Sequence, residues 1–313
     1  MADIFVKREE ATDEKFGKRQ EDRSVGELID FGVINLDKPP GPTSHQTSDY
    51  VQKIVGIEKA GHGGSLDPNV TGVLPITLER ATRLSQVLLK GGKEYVGIMH
   101  LHKDIDEAEI HAVITAFIGK ITQMPPVKSA VKRVLRERHI YSFDVLEIDG
   151  KDVLFRVSCE AGTYIRKLCF DIGKKVGIGA NMAELRRVRA GHFIEKDVVT
   201  LQDVKDAFVL WKQGNEGFIR HCIKPAEKMV ESLPKVWVFD SAVESICHGR
   251  DVAIPGVSKL NSFEKEDAVA VMTLKDELVA LGVAGMSSSD VMSKEKGIAV
   301  RVDKVFMKEG VYL

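Results

Sequence analysis

The chain has 313 residues, a hydrophobic share of 43% and a formal net charge of −1, with 45 basic residues against 46 acidic ones. It is long for one compact domain, so two globular domains are expected, with a sizeable core in the larger. No apolar run reaches the roughly 20 residues of a membrane span, and the first residues are too polar for a signal peptide, so a cytoplasmic protein without a membrane partner is expected. Cys159, Cys169, Cys222 and Cys247 are single and widely spaced, which gives neither a disulfide framework nor a metal knuckle.

Residues 1–30 are rich in Lys, Glu and Asp and need another surface to become ordered. The first strand is expected over 32–36, stopped by Pro39-Pro40-Gly41. A capping box at Thr43 and Gln46 opens a helix spaced by Tyr50, Val51, Ile54 and Val55, and Gly56 ends it. A glycine-rich loop then leads into a strand over 73–78, followed by a helix over 81–89 closed by Gly91-Gly92. Residues 93–101 alternate as a strand, and Ile110, Val113, Ile114 and Phe117 mark one face of a helix. Asp149-Gly150 is the strongest short hairpin signal, between strands at 145–148 and 153–159. Thr163 is placed to cap a helix that turns Ile165, Leu168, Cys169, Ile172 and Val176 inward and ends at Gly177. After Pro234 the pattern changes to short strands at 236–239, 249–256, 268–273, 278–282 and 297–305, the texture of a small barrel or sandwich. Strands and helices mix without regular βαβ alternation, so the fold class is α+β with a largely antiparallel mixed sheet and a small C-terminal all-β domain.

The loop Gly61-His62-Gly63-Gly64-Ser65-Leu66-Asp67-Pro68 offers the clearest chemistry. Pro68 biases Asp67 toward an extended conformation, and the glycines permit tight turns and close approach of a ligand, so one carboxylate is aimed before an apolar strand. Alone, an Asp-Pro turn is ordinary. Two basic runs add to it. Residues 161–192 hold seven Lys or Arg against two acids, and Lys128, Lys132, Arg133, Arg136 and Arg138 form a second group. Such runs are either solvated faces or surfaces that track phosphates. His100, His102 and His111 lack a matching cysteine or carboxylate set, so no metal site is expected.

The passage from Gly61 through Pro75 to Ala81-Thr82-Arg83 resembles the signature of the TruB family of pseudouridine synthases. So do Asp37-Lys38-Pro39-Pro40-Gly41 upstream, and Lys93-Glu94-Tyr95 and Gly162-Thr163-Tyr164-Ile165-Arg166 downstream. Segment 125–132 and the C-terminal region resemble the archaeal dyskerin homologues within it, catalytic subunits of H/ACA guide ribonucleoproteins. His248-Gly249-Arg250 and Ile254-Pro255-Gly256 resemble a PUA domain, an RNA-binding pseudobarrel. The resemblance implies a pseudouridine synthase fold over 31–232, a PUA domain over 233–313, and residues 1–30 as an extension packing on the PUA domain. Two departures, Gly63 and Leu78-Glu79-Arg80, concern loop geometry only. The chain stops at Leu313 without the eukaryotic homologue's lysine-rich tail, which fits an archaeal protein.

By the same resemblance Asp67 is the nucleophile, Arg166 its partner, and Tyr95 the platform for the flipped uridine. Tyr164, Leu185 and His62 complete the pocket. Lys38, Pro39, Gly61, Gly64 and Pro68 are expected to support the loop; on the phosphate-tracking reading of the basic runs Lys128, Lys132, Arg133, Arg186 and Arg187 meet RNA, and the PUA resemblance adds His248, Gly249 and Arg250. The isomerisation exchanges no electrons, so no cofactor is expected. The implied partners are guide RNA with an rRNA or tRNA substrate, a small zinc-ribbon-like protein, a glycine-arginine-type protein and a kink-turn-binding protein. Two other readings share these residues: a stand-alone synthase for the tRNA T-loop, and an RNA-binding scaffold with a decayed site, against which the intact Asp67, Tyr95 and Arg166 argue.

Overall fold

A computed structural model describes residues 3–125 and 132–313; Lys128, with the rest of 126–131, lies outside them. The chain divides into two compact units, one holding the chain up to Val33 together with Lys224–Leu313, the other Ile34–Ile223. It starts in the first unit with β1 (Ile4–Val6) and α1 (Val25–Asp30), and the boundary falls inside β2 (Gly32–Lys38).

In the larger unit β2 is followed by α2 (Ser44–Val55), β3 (Ala60–His62) and β4 (Thr71–Leu78). The capping box at Thr43 and Gln46 is formed, and Gly56 closes α2 in the left-handed region. The helix expected over 81–89 is instead a 3₁₀ turn, Glu79–Leu84, and a short α3 (Ser85–Lys90). Thr82 donates its hydroxyl to the Glu79 carbonyl at 2.7 Å, a local bond that competes with the α-helical ladder. The chain continues through β5 (Lys93–Leu101), α4 (Glu107–Thr115), β6 (Gly119–Gln123), β7 (Arg136–Asp149) and β8 (Asp152–Cys159). It closes with α5 (Ile165–Val176), β9 (Ala180–Ala190), β10 (Phe193–Ile194), α6 (Leu201–Lys212) and α7 (Gly217–Cys222).

The strands run in the order β2-β4-β9-β5-β8-β7-β6, with β3 on β4 and β10 on β9. The pairs from β9 to β6 are antiparallel, whereas β4 and β9 run parallel. Helix α5 buries Leu168, Cys169 and Ile172 in one core with Met99, Phe155 and Val157 of the sheet. Thr163 does not cap this helix. Its hydroxyl turns back to the Glu160 carbonyl at 2.7 Å, so Tyr164 becomes the N-cap, without a side-chain cap.

After β11 (Ile223–Pro225) the smaller unit adds β12 (Lys235–Val238), α8 (Asp240–Cys247), β13 (Val252–Ala253), β14 (Val257–Asn261), β15 (Ala268–Thr273), β16 (Leu278–Ala284), α9 (Ser288–Ser293) and β17 (Ile298–Val305). Its sheet has the order β1-β14-β12-β15-β16-β17-β13. The chain's first residues are held here: β1 pairs antiparallel with β14, and Phe16 stacks on Tyr312 at 5.5 Å. The buried Lys275 ammonium donates to the carbonyls of Asp13, at 3.0 Å, and Glu14, at 3.2 Å.

Candidate active site

Between β3 and β4 the loop carrying Asp67 is held by its backbone. Gly63 N–H donates to Pro75 O at 2.9 Å, and Leu66 N–H donates to the hydroxyl of Ser44, the first residue of α2, at 2.7 Å. Gly41 N–H reaches Pro68 O at 3.0 Å, and Val70 N–H closes a turn onto Asp67 O at 3.0 Å. Beneath the loop, Lys38 is 0% exposed, and its ammonium donates to the carbonyls of Pro39, Pro68 and Val70 at 2.9, 2.7 and 3.0 Å. Burial pushes its pKa down, and the nearby Asp67 carboxylate opposes that shift. These ties fix the backbone and leave the carboxylate projecting, with 49% of the Asp67 side chain exposed.

Arg166, in the first turn of α5, reaches across 99 residues of sequence and ion-pairs with Asp67 Oδ2. The helix N-terminus adds partial positive charge beside the pair. The structure therefore brings together the carboxylate and guanidinium that lie in separate sequence motifs.

Tyr95 is a buried residue near the start of β5, opposite Arg187 of β9. Burial raises the phenol's pKa, with a hydrogen bond to Arg187 opposing, so the ring carries its proton at neutral pH. Leu185, two positions before Arg187, packs partly against the core around Tyr95. His62 ends β3 with Nδ1 buried and without a partner among the described residues, and burial followed by the charge of Arg187 lowers its pKa. Gly61 lies beside it, paired with Thr77 of β4. Tyr164 sits at the N-cap of α5, two residues from Arg166.

Arg187 was expected to meet RNA, and the structure corrects this. It is 1% exposed, donating from Nε to Val73 O at 2.7 Å and from Nη2 to Gly64 O at 3.1 Å, so it ties the loop and β4 to β9 and has no surface for a phosphate. Gly72, paired with Arg187 across the parallel β4–β9 contact, has φ +100° and lies so close that any Cβ would overlap the Arg187 carbonyl. Arg186 is half-buried and already engaged, both Nη atoms on Asp37 at 2.9 Å and Nε on Glu195; Asp37 chiefly raises its pKa. Lys132 and Arg133 are exposed. His248, Gly249 and Arg250 are exposed at the end of α8 in the smaller unit, where His248 lies between Glu244 and Glu309. His100 pairs with Asp152 and His102 with Asn181.

Known proteins resemble the chain along its whole length. Residues 52–165 match the TruB family pseudouridylate synthase N-terminal domain, 166–231 the tRNA pseudouridylate synthase B C-terminal domain, 234–306 the PUA domain and 1–48 the DKCLD domain. A probable tRNA pseudouridine synthase B of Thermococcus kodakarensis is 56% identical over 99% of this chain and 93% of its own length. Its counterpart in Methanopyrus kandleri is 52% identical over 99% and 92%. Among solved structures, a Cbf5-Nop10-Gar1 complex contains a chain with TM-score 0.95 and 53% identity, covering 100% of this chain and 96% of that one. An H/ACA ribonucleoprotein bound to a substrate RNA containing 2′-deoxyuridine contains one with TM-score 0.94 and 51% identity, covering 100% and 97%. The fold and these matches define a chain with a pseudouridine synthase domain and a PUA domain. The chain belongs to the TruB family of pseudouridine synthases.

Proposed function

We propose that the chain converts specific uridines of RNA to pseudouridine as the catalytic subunit of an H/ACA-type guide-RNA particle, with Asp67 as its nucleophile. The observation that carries the reading is the exposed Asp67 carboxylate, paired with Arg166 on a loop whose backbone is tied down by Lys38, Ser44 and Arg187. The reaction breaks the bond between uracil N1 and C1′ of the ribose and joins C1′ to C5 of the same base. N1 gains a proton, C5 loses one, and no electrons are exchanged. The uridine must leave its stack to expose these atoms. A pairing arginine keeps the carboxylate ionised and selects its rotamer, and the Tyr95 ring gives the extruded base a face worth about 1–3 kcal/mol of stacking. Tyr164, Leu185 and His62 would wall the pocket, and Gly61, Gly64, Pro39 and Pro68 shape the loop.

The guide-particle reading is supported by likeness over the full chain to proteins solved in a Cbf5-Nop10-Gar1 complex and in an H/ACA ribonucleoprotein with substrate RNA. Partners of the Nop10 and Gar1 kinds are therefore inferred, along with a kink-turn-binding protein and a guide RNA held by the PUA domain. A cytoplasmic location is part of the same proposal; among the described residues no helix is long and apolar enough to cross a membrane. A stand-alone tRNA activity is a second reading, favoured by the printed name of the relatives.

Pseudouridine formation on unmodified tRNA and on an rRNA fragment, with and without guide RNA and partner proteins, separates these readings. The expected result is rRNA product only in the guided mixture, abolished by Asp67→Asn with RNA binding kept. tRNA product without guide would add the second role. A fully active Asp67→Asn would remove Asp67 from the mechanism.

A further inference from the structure

Gln123 is the last residue of β6, 3% exposed, and makes an unusual pair of bonds. Its Oε1 accepts the Tyr164 backbone N–H at 3.0 Å, and its Nε2 donates to the Tyr164 carbonyl at 3.2 Å. One side-chain amide thus pairs with both backbone groups of one residue, as a neighbouring strand would. That residue is the N-cap of α5, where no side-chain cap is formed, and its carbonyl also accepts the first helical bond, from Leu168 N at 2.9 Å. Two residues further on, Arg166 meets Asp67. From the other side Thr163 is anchored to the Glu160 turn, through its hydroxyl and its N–H.

We infer that Gln123 is a positioning residue for the reaction: its amide sets the peptide planes at Tyr164, and through them the direction from which Arg166 meets the Asp67 carboxylate. The inference rests on the reading of Asp67 and Arg166 as the reacting pair. The chemistry requires an amide of this length. Leucine fills the space but offers neither donor nor acceptor, asparagine is one methylene too short, and an ionised glutamate sets a negative oxygen against the Tyr164 carbonyl. Protonated glutamate, with one O–H and one C=O, restores both bonds. Within the first turn of a helix, a shift of about 1 Å in the reacting geometry is enough to lower a rate about a hundredfold.

The test compares wild type, Gln123→Leu, Gln123→Glu and Asp67→Asn in single-turnover pseudouridine formation on the rRNA fragment in the full guided mixture. RNA affinity and amide hydrogen exchange over 163–168 are measured on the same proteins. The expected result for Gln123→Leu is a rate about 10- to 100-fold lower, RNA affinity unchanged within threefold, and faster exchange at the Tyr164 amide. Gln123→Glu should recover toward the wild-type rate at the same pH as pH is lowered and its carboxyl is protonated. A wild-type rate in Gln123→Leu would overturn the inference. So would a loss of RNA affinity that accounts for the slower rate, or a slow Gln123→Glu with no recovery at low pH. An inactive wild type, or an active Asp67→Asn, would instead strike the reading of the reaction. In that case the inference falls with it, and Tyr164 exchange in Gln123→Leu reports only whether the amide holds the N-cap of α5.

Discussion

At Lys38, itself wholly buried, three ammonium donors meet three carbonyls, those of Pro39, Pro68 and Val70. Methionine has the length to fill this space and none of the donors. Lys38→Met should therefore leave buried carbonyls unmatched, lowering stability by about 2–3 kcal/mol and single-turnover rate at least about tenfold, with RNA affinity kept. Urea melts and rapid-quench assays check this, and an unaltered rate would show that the loop holds its shape without the lysine. Two glycines of the same loop and strand give a graded comparison. At Gly64, φ is +126° but a Cβ would find its nearest neighbours at 3.7 Å, so alanine there costs backbone strain alone, about 1–2 kcal/mol. At Gly72 the same substitution adds overlap with the Arg187 carbonyl on the adjoining strand, and the loss should exceed about 3 kcal/mol. Equal losses at the two sites would show that β4 can move away from β9.

Helix α1 carries a charge-dependent cap. Ser24 and Glu27 form a reciprocal capping box, and Lys18 donates to Glu27 at 2.8 Å; that bond, then the Ser24 backbone N–H, lowers the Glu27 carboxyl to about 2. A carboxyl held below its ordinary value of 4.5 contributes stability that is complete above that pH and is lost as pH falls through about 2. Glutamine keeps the cap and removes the charge. Glu27→Gln should thus be less stable than wild type near neutral pH by about 0.5–1 kcal/mol, the discounted worth of an exposed pair, with the difference shrinking below pH 4.5. Thermal melts from pH 7 to 2 test it, and a constant difference would take the carboxylate out of the account. Elements of this local kind are what a sequence discloses. The α2 box at Thr43 and Gln46, the alternation of β5 and the Asp149-Gly150 turn rest on neighbours within a few residues, and all are formed. Strand β9 was not legible, because its string of arginines has no apolar alternation, and Arg186 and Arg187 look alike along the chain. What separates them is register. Irregularities between Glu94 and Tyr95 and between Ile98 and Met99 decide which β9 side chain faces the core, and they depend on pairing between strands about 90 residues apart. Gln123 was hidden for the same reason, since its partner lies 41 residues away.

At the scale of the whole chain, the first segment and the last are parts of one body. Arg23 donates to both Glu227 oxygens, at 2.9 and 2.8 Å, across 204 residues of sequence, and both side chains are buried. Glu227 Oε1 also accepts Leu278 N–H at the start of β16 at 3.0 Å, so this single carboxylate ties the segment before α1 to the sheet of the smaller unit. An ion pair so enclosed is costly to form and more costly to halve, because the surviving charge keeps its desolvation and loses its partner. Arg23→Met should therefore destabilise the smaller unit by about 3–5 kcal/mol. Adding Glu227→Gln removes the stranded charge while its amide oxygen still accepts Leu278 N–H, so the double variant should be more stable than Arg23→Met alone. Hydrogen exchange resolved by segment gives the measurement: in Arg23→Met, protection should fall in β1, α1 and β14–β17, and it should return in part in the double variant. If the double variant is no better than the single one, the loss comes from missing arginine packing, and the buried charge is not what binds the two ends of the chain.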